Sequence, residues 1–434
     1  MKLIMAALLA FVPSQLAADA LPKGNAQFPK QDISEVRLGQ LLFYDPILSG
    51  NKTVSCATCH HPHFGTGDGL SLGIGDGGTG LGPERKTNPK NNPEQRIPRN
   101  APALFNLGNP AFSVLFHDGR LEVDQSEATG FRTPLGDDME DGFDGVLSAQ
   151  TMFPVLSPDE MAGHYSENDV AQAIRQGLFT GPGGAWDILS KRVAAIPEYS
   201  TQFEKVIGTN KNIHFTDISN AIAAFMAFEW RADDSPFDRH LRGDGTLTAK
   251  QMNGMTLFYG DAGCGSCHAG QFQTDHDFHA IGMVQIGPGK AARFERHQRD
   301  EGRRRVTGNA ADTFAFRTPS LRNITHTAPY GHAGAFATLK AVIEHHYNPE
   351  KSFKNYDPAQ AVLPEIEGAK DFTIVESANE VANILKANQL KPVKLSDQNV
   401  ADIIAFLGAL TDETAIKGRL GIPDNVPSGL PIER

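Results

Sequence analysis

The sequence predicts a mainly α protein made of two similar helical units in tandem, joined and crossed by long Gly/Pro-rich loops. Three observations predict it. Cys56-Ala57-Thr58-Cys59-His60 returns as Cys264-Gly265-Ser266-Cys267-His268, so each half carries one C-x-x-C-H. Each motif follows a helix-periodic stretch ending in Leu-Phe-Tyr, at 42–44 and 257–259, with Gly39 and Gly254 at the matching place before it. Finally, 43 Gly and 27 Pro in 434 residues are too many for a compact bundle and imply turn-rich connections between helices.

In chain order, Lys2, the apolar run from Leu3 to Val12 and Ala18-Asp19-Ala20 read as a signal peptide cut before Leu21. The run is too short to span a membrane, and no later stretch is long enough. The mature chain is therefore expected to be exported. A first helix is expected with Ser34 as its cap and Leu38, Leu41 and Leu42 on its buried face. Gly65 to Pro98 is Gly-, Pro- and Asn-rich and reads as a long surface loop. The first unit closes with an amphipathic helix in which Thr216 precedes Ile218, Ile222, Phe225, Met226 and Glu229.

Charged, Gly-containing sequence from Asp233 to Gly245 marks the boundary, giving units at 21–240 and 241–434. In the second unit Thr248 caps a helix with Gln251 in the reciprocal position, and Met252, Met255 and Tyr259 form its stripe. The run Arg293 to Arg305 reads as a solvated charged segment. Ser396 opens the last helix, with Val400, Ile403, Ile404, Leu407 and Leu410 on one face.

C-x-x-C-H is the attachment signature of a c-type haem. The thiols of Cys56 and Cys59, and of Cys264 and Cys267, can each form a thioether to a haem vinyl group, and the adjacent His60 or His268 reaches the iron as axial ligand. A zinc site or a thioredoxin-like pair is the alternative, but zinc does not require a histidine directly after each second cysteine. These motifs use all four cysteines, so no disulfide framework is possible. Haem c is attached outside the bacterial cytoplasm, which fits a periplasmic address. A net charge of −11 without a basic cluster argues against nucleic acid and suits a small basic electron carrier as partner.

A helix before the haem motif and another closing the unit resembles the cytochrome c fold, here in two domains. Nearly the whole mature chain resembles the bacterial di-haem cytochrome c peroxidase family. The resemblance rests on Leu42-Phe43-Tyr44-Asp45-Pro46, Arg99-Asn100-Ala101-Pro102 and Phe116-His117-Asp118-Gly119-Arg120. Gln150 through Pro154 to Glu160-Met161, Arg317 to Asn323 and Thr327 to His332 extend it. It implies two c-type haems: a peroxidatic one on His60 that reduces hydrogen peroxide to water, and an electron-transfer one on His268. It also implies Glu160 as the acid–base group, with Gln150 and Pro154 shaping the pocket, although Ser157-Pro158-Asp159-Glu160 also reads as a capping box. A calcium ion is implied on the Asn100 side chain and the carbonyls of Thr327 and Pro329. Electrons are expected from a small soluble cytochrome c or copper protein. Members are commonly dimers, although no residue here marks a dimer surface.

Three departures qualify the resemblance. Many members place a histidine ahead of the Arg-Asn-Ala-Pro stretch to plug the peroxidatic iron; here the position is about Asn92, and no histidine lies between His63 and His117. An open iron needing no reductive activation is expected, with His61 and His63 as surface residues. His346 stands where methionine often ligates the second haem, which predicts a bis-histidine haem of lower potential, His345 being the lesser candidate. His117 stands where tryptophan often lies between the haems, and Trp186 and Trp230 read as packing residues. Electron transfer is then direct between the haems, or through another aromatic residue. The alternatives are a di-haem enzyme oxidising side chains of a partner protein, similar to the tryptophylquinone-forming enzyme, and a non-catalytic electron carrier.

Overall fold

The computed structural model describes residues 21–22, 26–164, 167–291 and 295–434. The signal segment read at 1–20 lies outside the described residues, as does Arg293 at the start of the charged run. Helices dominate, and among the described residues no strand exceeds three residues.

Two helix crossings carry the architecture. Helix α1 (Ile33–Tyr44) packs on α2 (Phe215–Glu229), and α3 (Ala249–Tyr259) packs on α4 (Asp397–Gly408). A Cβ on Gly39 would lie 1.8 Å from the Ala221 carbonyl oxygen and 2.9 Å from Phe225 Cβ. At Gly254 the corresponding distances are 1.9 Å to the Asp402 carbonyl oxygen and 2.9 Å to Phe406 Cβ. Both pairs therefore touch backbone to backbone at equivalent points, where only glycine fits. The aromatic packing repeats as well: Phe43 meets Phe225 at 5.4 Å, and Phe258 meets Phe406 at 5.2 Å. Trp230, at the end of α2, packs on Phe43 and Phe225, and Trp186 is also buried in the first core.

The helix starts differ in part from expectation. Asp32, not Ser34, caps α1 by accepting the backbone N–H groups of Ser34 and Glu35, which puts Ser34 in the first turn. Likewise α2 begins at His214 with Asp217 answering it, so Thr216 is inside the helix. The Thr248–Gln251 box forms as read, and Ser396 opens α4 with a box to Asn399 that the sequence reading did not name.

The stretch from 65 to 98 is not a surface loop. Leu70, Leu72 and Ile74 are buried, and so is Arg85, whose guanidinium donates to the carbonyls of Ile74, Gly75 and Gly80 and pairs with Glu433 at 3.2 Å. A segment poor in apolar side chains thus packs through its backbone around one internal cation, and Ser71 ties it to Val362 and Gly334 of the second half. The charged run is solvated only in part: Arg296, Arg304 and Arg305 are exposed, but its other described charges turn inward. Arg299 pairs with Glu380 and Arg303 with Glu122, each at 2.9 Å, and Asp300 is buried against Arg99. Charge patterning along the chain cannot reveal partners that distant.

The end of the chain returns to the first unit. Ala415 and Val426 lie in its core. The Glu229 carboxylate accepts the N–H groups of Leu420 at 2.7 Å and Gly421 at 2.8 Å, and Asp45 accepts Ser428 Oγ at 2.6 Å and Tyr199 OH at 2.7 Å.

Candidate functional site

Each C-x-x-C-H folds as a single turn after the long helix. His60 N–H donates to Cys56 O at 3.0 Å, and His268 N–H donates to Cys264 O at 2.9 Å. Each imidazole is then fixed by a carbonyl a few residues on: His60 Nδ1 lies 2.9 Å from Thr66 O, and His268 Nδ1 lies 3.0 Å from Gln273 O. A carbonyl only accepts, so Nδ1 carries the proton and Nε2 is the basic nitrogen in both rings. Burial pulls the pKa of both imidazoles down, to about 4 for His268, which keeps the ring neutral and able to ligate. Burial also pushes the Cys56 thiol up to about 12 and the Cys264 thiol up to about 11. Two unpaired thiols beside a tautomer-fixed imidazole are the set a haem held by thioethers needs.

His346, in the helix Leu339–Tyr347, points its Nδ1 at its own helix, 2.7 Å from Val342 O, leaving Nε2 to face outward from that helix. It is near enough to His268 to contribute to that ring's lowered pKa. The neighbouring His345 is a buried packing residue: its Nε2 is 3.2 Å from Ile281 O, and its ring packs on Phe336 at 5.0 Å.

Gln150, Pro154 and Glu160 lie on one continuous segment. The helix Val146–Thr151 ends at Gln150 and Thr151, Pro154 opens a 3-10 turn, and Glu160 sits in a π turn at Pro158–Ala162. The capping box read at Ser157 does not form; its carbonyl instead accepts N–H groups from Glu160, Met161 and Ala162 at 3.0–3.2 Å. In the wider ring of the π turn the Ser157 hydroxyl stays beside the Glu160 carboxyl and pulls its pKa down, against burial. Burial raises the pKa of Glu160, and the charges of Lys290 and Arg120 oppose that rise. Glu160 also lies near enough to the first motif to raise the Cys59 thiol, after burial and Asp68. Lys290, lowered to about 8 by burial and by Arg120 and Arg99, was not singled out in the sequence because no motif surrounds it.

Between the units, Arg99 grips Asp300 with Nε and Nη2 at 2.6 and 2.8 Å and reaches Asp118 at 2.7 Å. Asn100 beside it donates Nδ2 to Leu70 O at 2.8 Å, its N–H to His332 O at 2.9 Å, and takes His117 Nε2 on its carbonyl at 3.0 Å. Its Oδ1 takes no hydrogen bond among the described residues. Thr327 and Pro329 lie in the same returning loop as His332, across a cis Ala328–Pro329 bond. His332 is buried and stacked on Phe316 at 3.7 Å, with no partner on either ring nitrogen among the described residues. Asn92 is exposed. His63 is exposed as expected, whereas His61 is fully buried, because its Nδ1 accepts the His63 N–H in a tight turn.

A family model described as di-haem cytochrome c peroxidase matches residues 34–246, which include the first motif and the whole Gln150–Glu160 segment. The chain belongs to this family and stands among the di-haem peroxidases. The family implies two c-type haems. The methylamine utilization protein MauG of Methylorubrum extorquens is 28% identical over 91% of this chain and 82% of that protein. The cytochrome c peroxidase Ccp of Escherichia coli is 31% identical over 78% of this chain and 59% of that one. A solved MauG-like protein associated with microbial copper homeostasis superposes with a TM-score of 0.60, at 26% identity, over 91% of this chain and 96% of its own. No helix among the described residues is long and apolar enough to cross a membrane.

Proposed function

We propose that this di-haem peroxidase works in the periplasm and reduces hydrogen peroxide to water beside His60, with electrons entering beside His268 from a small soluble cytochrome c or copper protein. The observation that carries the proposal is the half-buried Glu160, set in a π turn next to the first motif and flanked by Arg120 and Lys290. When bound, the haems supply the irons that take up peroxide and relay electrons to it. Cys56 and Cys59 hold the first covalently, and Cys264 and Cys267 the second.

The protein's own groups do the rest. Thr66 and Gln273 carbonyls orient His60 and His268 as ligands, and His346 offers Nε2 to the second haem. Glu160 accepts a proton from one peroxide oxygen and returns it to the other, so that the departing oxygen leaves as water rather than hydroxide. Arg120 and Lys290 favour the ionised carboxylate that this first step requires. Gln150 and Pro154 bound the space beside it. Asn100 Oδ1 and the carbonyls of Thr327 and Pro329 would supply oxygen ligands to a calcium ion. An exposed Asn92 leaves the oxidised enzyme ready for peroxide without prior reduction. His117, in the usual tryptophan position, is hydrogen-bonded to Asn100, and electrons would pass between bound haems directly or through another aromatic residue.

The resemblance to the tryptophylquinone-forming di-haem enzymes supports a second reading, oxidation of side chains in a partner protein. Steady-state turnover separates the two. Peroxide-dependent oxidation of a reduced small cytochrome c or cupredoxin supports the peroxidase. Absence of turnover with every such donor, in protein carrying both haems, refutes it.

A further inference from the structure

Buried arginines in this chain find carboxylates. Arg85 has Glu433, Arg96 has Asp371, Arg99 has Asp118 and Asp300, and Arg322 has Asp238, all within 3.2 Å. Arg317 is different. Among the described residues no carboxylate comes within ion-pair distance of it, and its guanidinium meets only carbonyls: Nε donates to Phe116 O at 3.2 Å and Nη1 to Thr318 O at 3.2 Å. Nη2 has no protein acceptor among the described residues. Its electrostatic surroundings are imidazoles, His117 and His276, both of which it disfavours as cations. A half-buried guanidinium with one donor edge open and no counter-ion is costly unless an anion completes it.

Its mounting says which anion. The strand Phe316–Arg317 pairs with Phe278–His279. The next residue, Thr318, is tied on both sides to the loop that follows the second motif: its N–H donates to Asp277 O at 2.9 Å, and its carbonyl accepts Thr274 Oγ1 at 2.7 Å. That loop also supplies Gln273 O, which fixes His268. Arg317 is therefore braced on the same few residues that orient the second axial histidine, while its N–H and Nε reach back to His117 O and Phe116 O of the first half.

Resting on the reading that His268 ligates a haem, we infer that Arg317 is the counter-ion of a propionate carboxylate of that second haem, held at the junction of the two units. The planar fork suits a carboxylate in a way a lysine does not. An unneutralised propionate near the iron stabilises the oxidised, more positive state, so Arg317 holds the potential of the second haem up.

The test uses the full-length holoprotein with Arg317→Gln and Arg317→Lys. Haem content by pyridine haemochrome comes first; fewer than two haems per wild-type chain would defeat the attachment reading and not this one. Spectroelectrochemical titration then follows each haem by its own spectrum. The second haem in Arg317→Gln should become about tenfold harder to reduce, about 59 mV for a one-electron couple, with most of the change recovered in Arg317→Lys and the first haem unmoved. A second haem within twofold of wild type, or a shift confined to the first haem, overturns the inference. If Arg317→Gln fails to load the second haem, Arg317→Lys decides: loading with a potential within threefold of wild type supports a charge role, and failure of both overturns it.

Discussion

Arg99→Met should weaken the union of the two halves more than any other single change considered. The Arg99 side chain is 7% exposed and those of Asp118 and Asp300 are 3% exposed, so removing the guanidinium leaves buried carboxylates behind. Asp118 keeps Arg120 at 3.2 Å, but no other arginine or lysine pairs with Asp300 among the described residues. Breaking a buried pair from one side costs about 3–5 kcal/mol. Methionine keeps the apolar stem, so the loss reports charge rather than a cavity. Arg99 holds Asp118 and Asp300 below the ordinary carboxyl range against the effect of burial. That stability is present above the unfolded value of about 3.9 and is lost as pH falls through the folded values below it. Without Arg99, burial alone would raise the Asp300 carboxyl, so acidification should narrow the gap between variant and wild type. Urea unfolding of the holoprotein, read by far-ultraviolet circular dichroism and haem absorbance at pH 7 and pH 4, measures both effects. Adding Asp300→Asn should restore much of the loss in a double-mutant cycle. A loss under about 1 kcal/mol, or one equal at both pH values, would refute the reasoning.

Gly254→Ala and Gly39→Ala should each destabilise by about 1–3 kcal/mol despite alanine's helix preference, because the new Cβ meets backbone oxygen; thermal unfolding that shows either variant as stable as wild type would deny the backbone contact. His346→Ala should convert the second haem from low-spin to high-spin in electron paramagnetic resonance, and an unchanged low-spin signal would remove the ligand assignment. Lys290→Met removes a cation that lowers the Glu160 pKa. The proton-accepting form of Glu160 exists above its pKa, so the acid limb of the peroxide rate should move to higher pH in this variant, and a limb that stays put excludes Lys290 from the pocket's electrostatics.

The repeat was legible because it is local: the C-x-x-C-H motifs, the Leu-Phe-Tyr ends and the paired glycines sit within one helix of each other, and the crossings at Ala221 and Asp402 follow from them. Caps were legible where side chain and helix start coincide, as at Thr248 and Ser396. Ser157 misled, since a capping box and a π turn share the same residues and only the carbonyl's choice of partners separates them. What escaped was non-local. Arg85 organises a loop through carbonyls with no sequence pattern of their own, and the last residues of the chain complete the first core rather than the second. Lys290 and Arg317 matter through what lies beside them in space, which neither motif nor charge pattern along the chain records.

The central claim, an accessible first haem served by Glu160, is tested most directly by mixing fully oxidised holoprotein with one equivalent of hydrogen peroxide and following the haem spectrum over milliseconds. A rapid spectral change in wild type that slows by about 10²–10⁴-fold in Glu160→Gln is the predicted result. A change that appears only after one haem is pre-reduced, or one as fast in Glu160→Gln as in wild type, would contradict it.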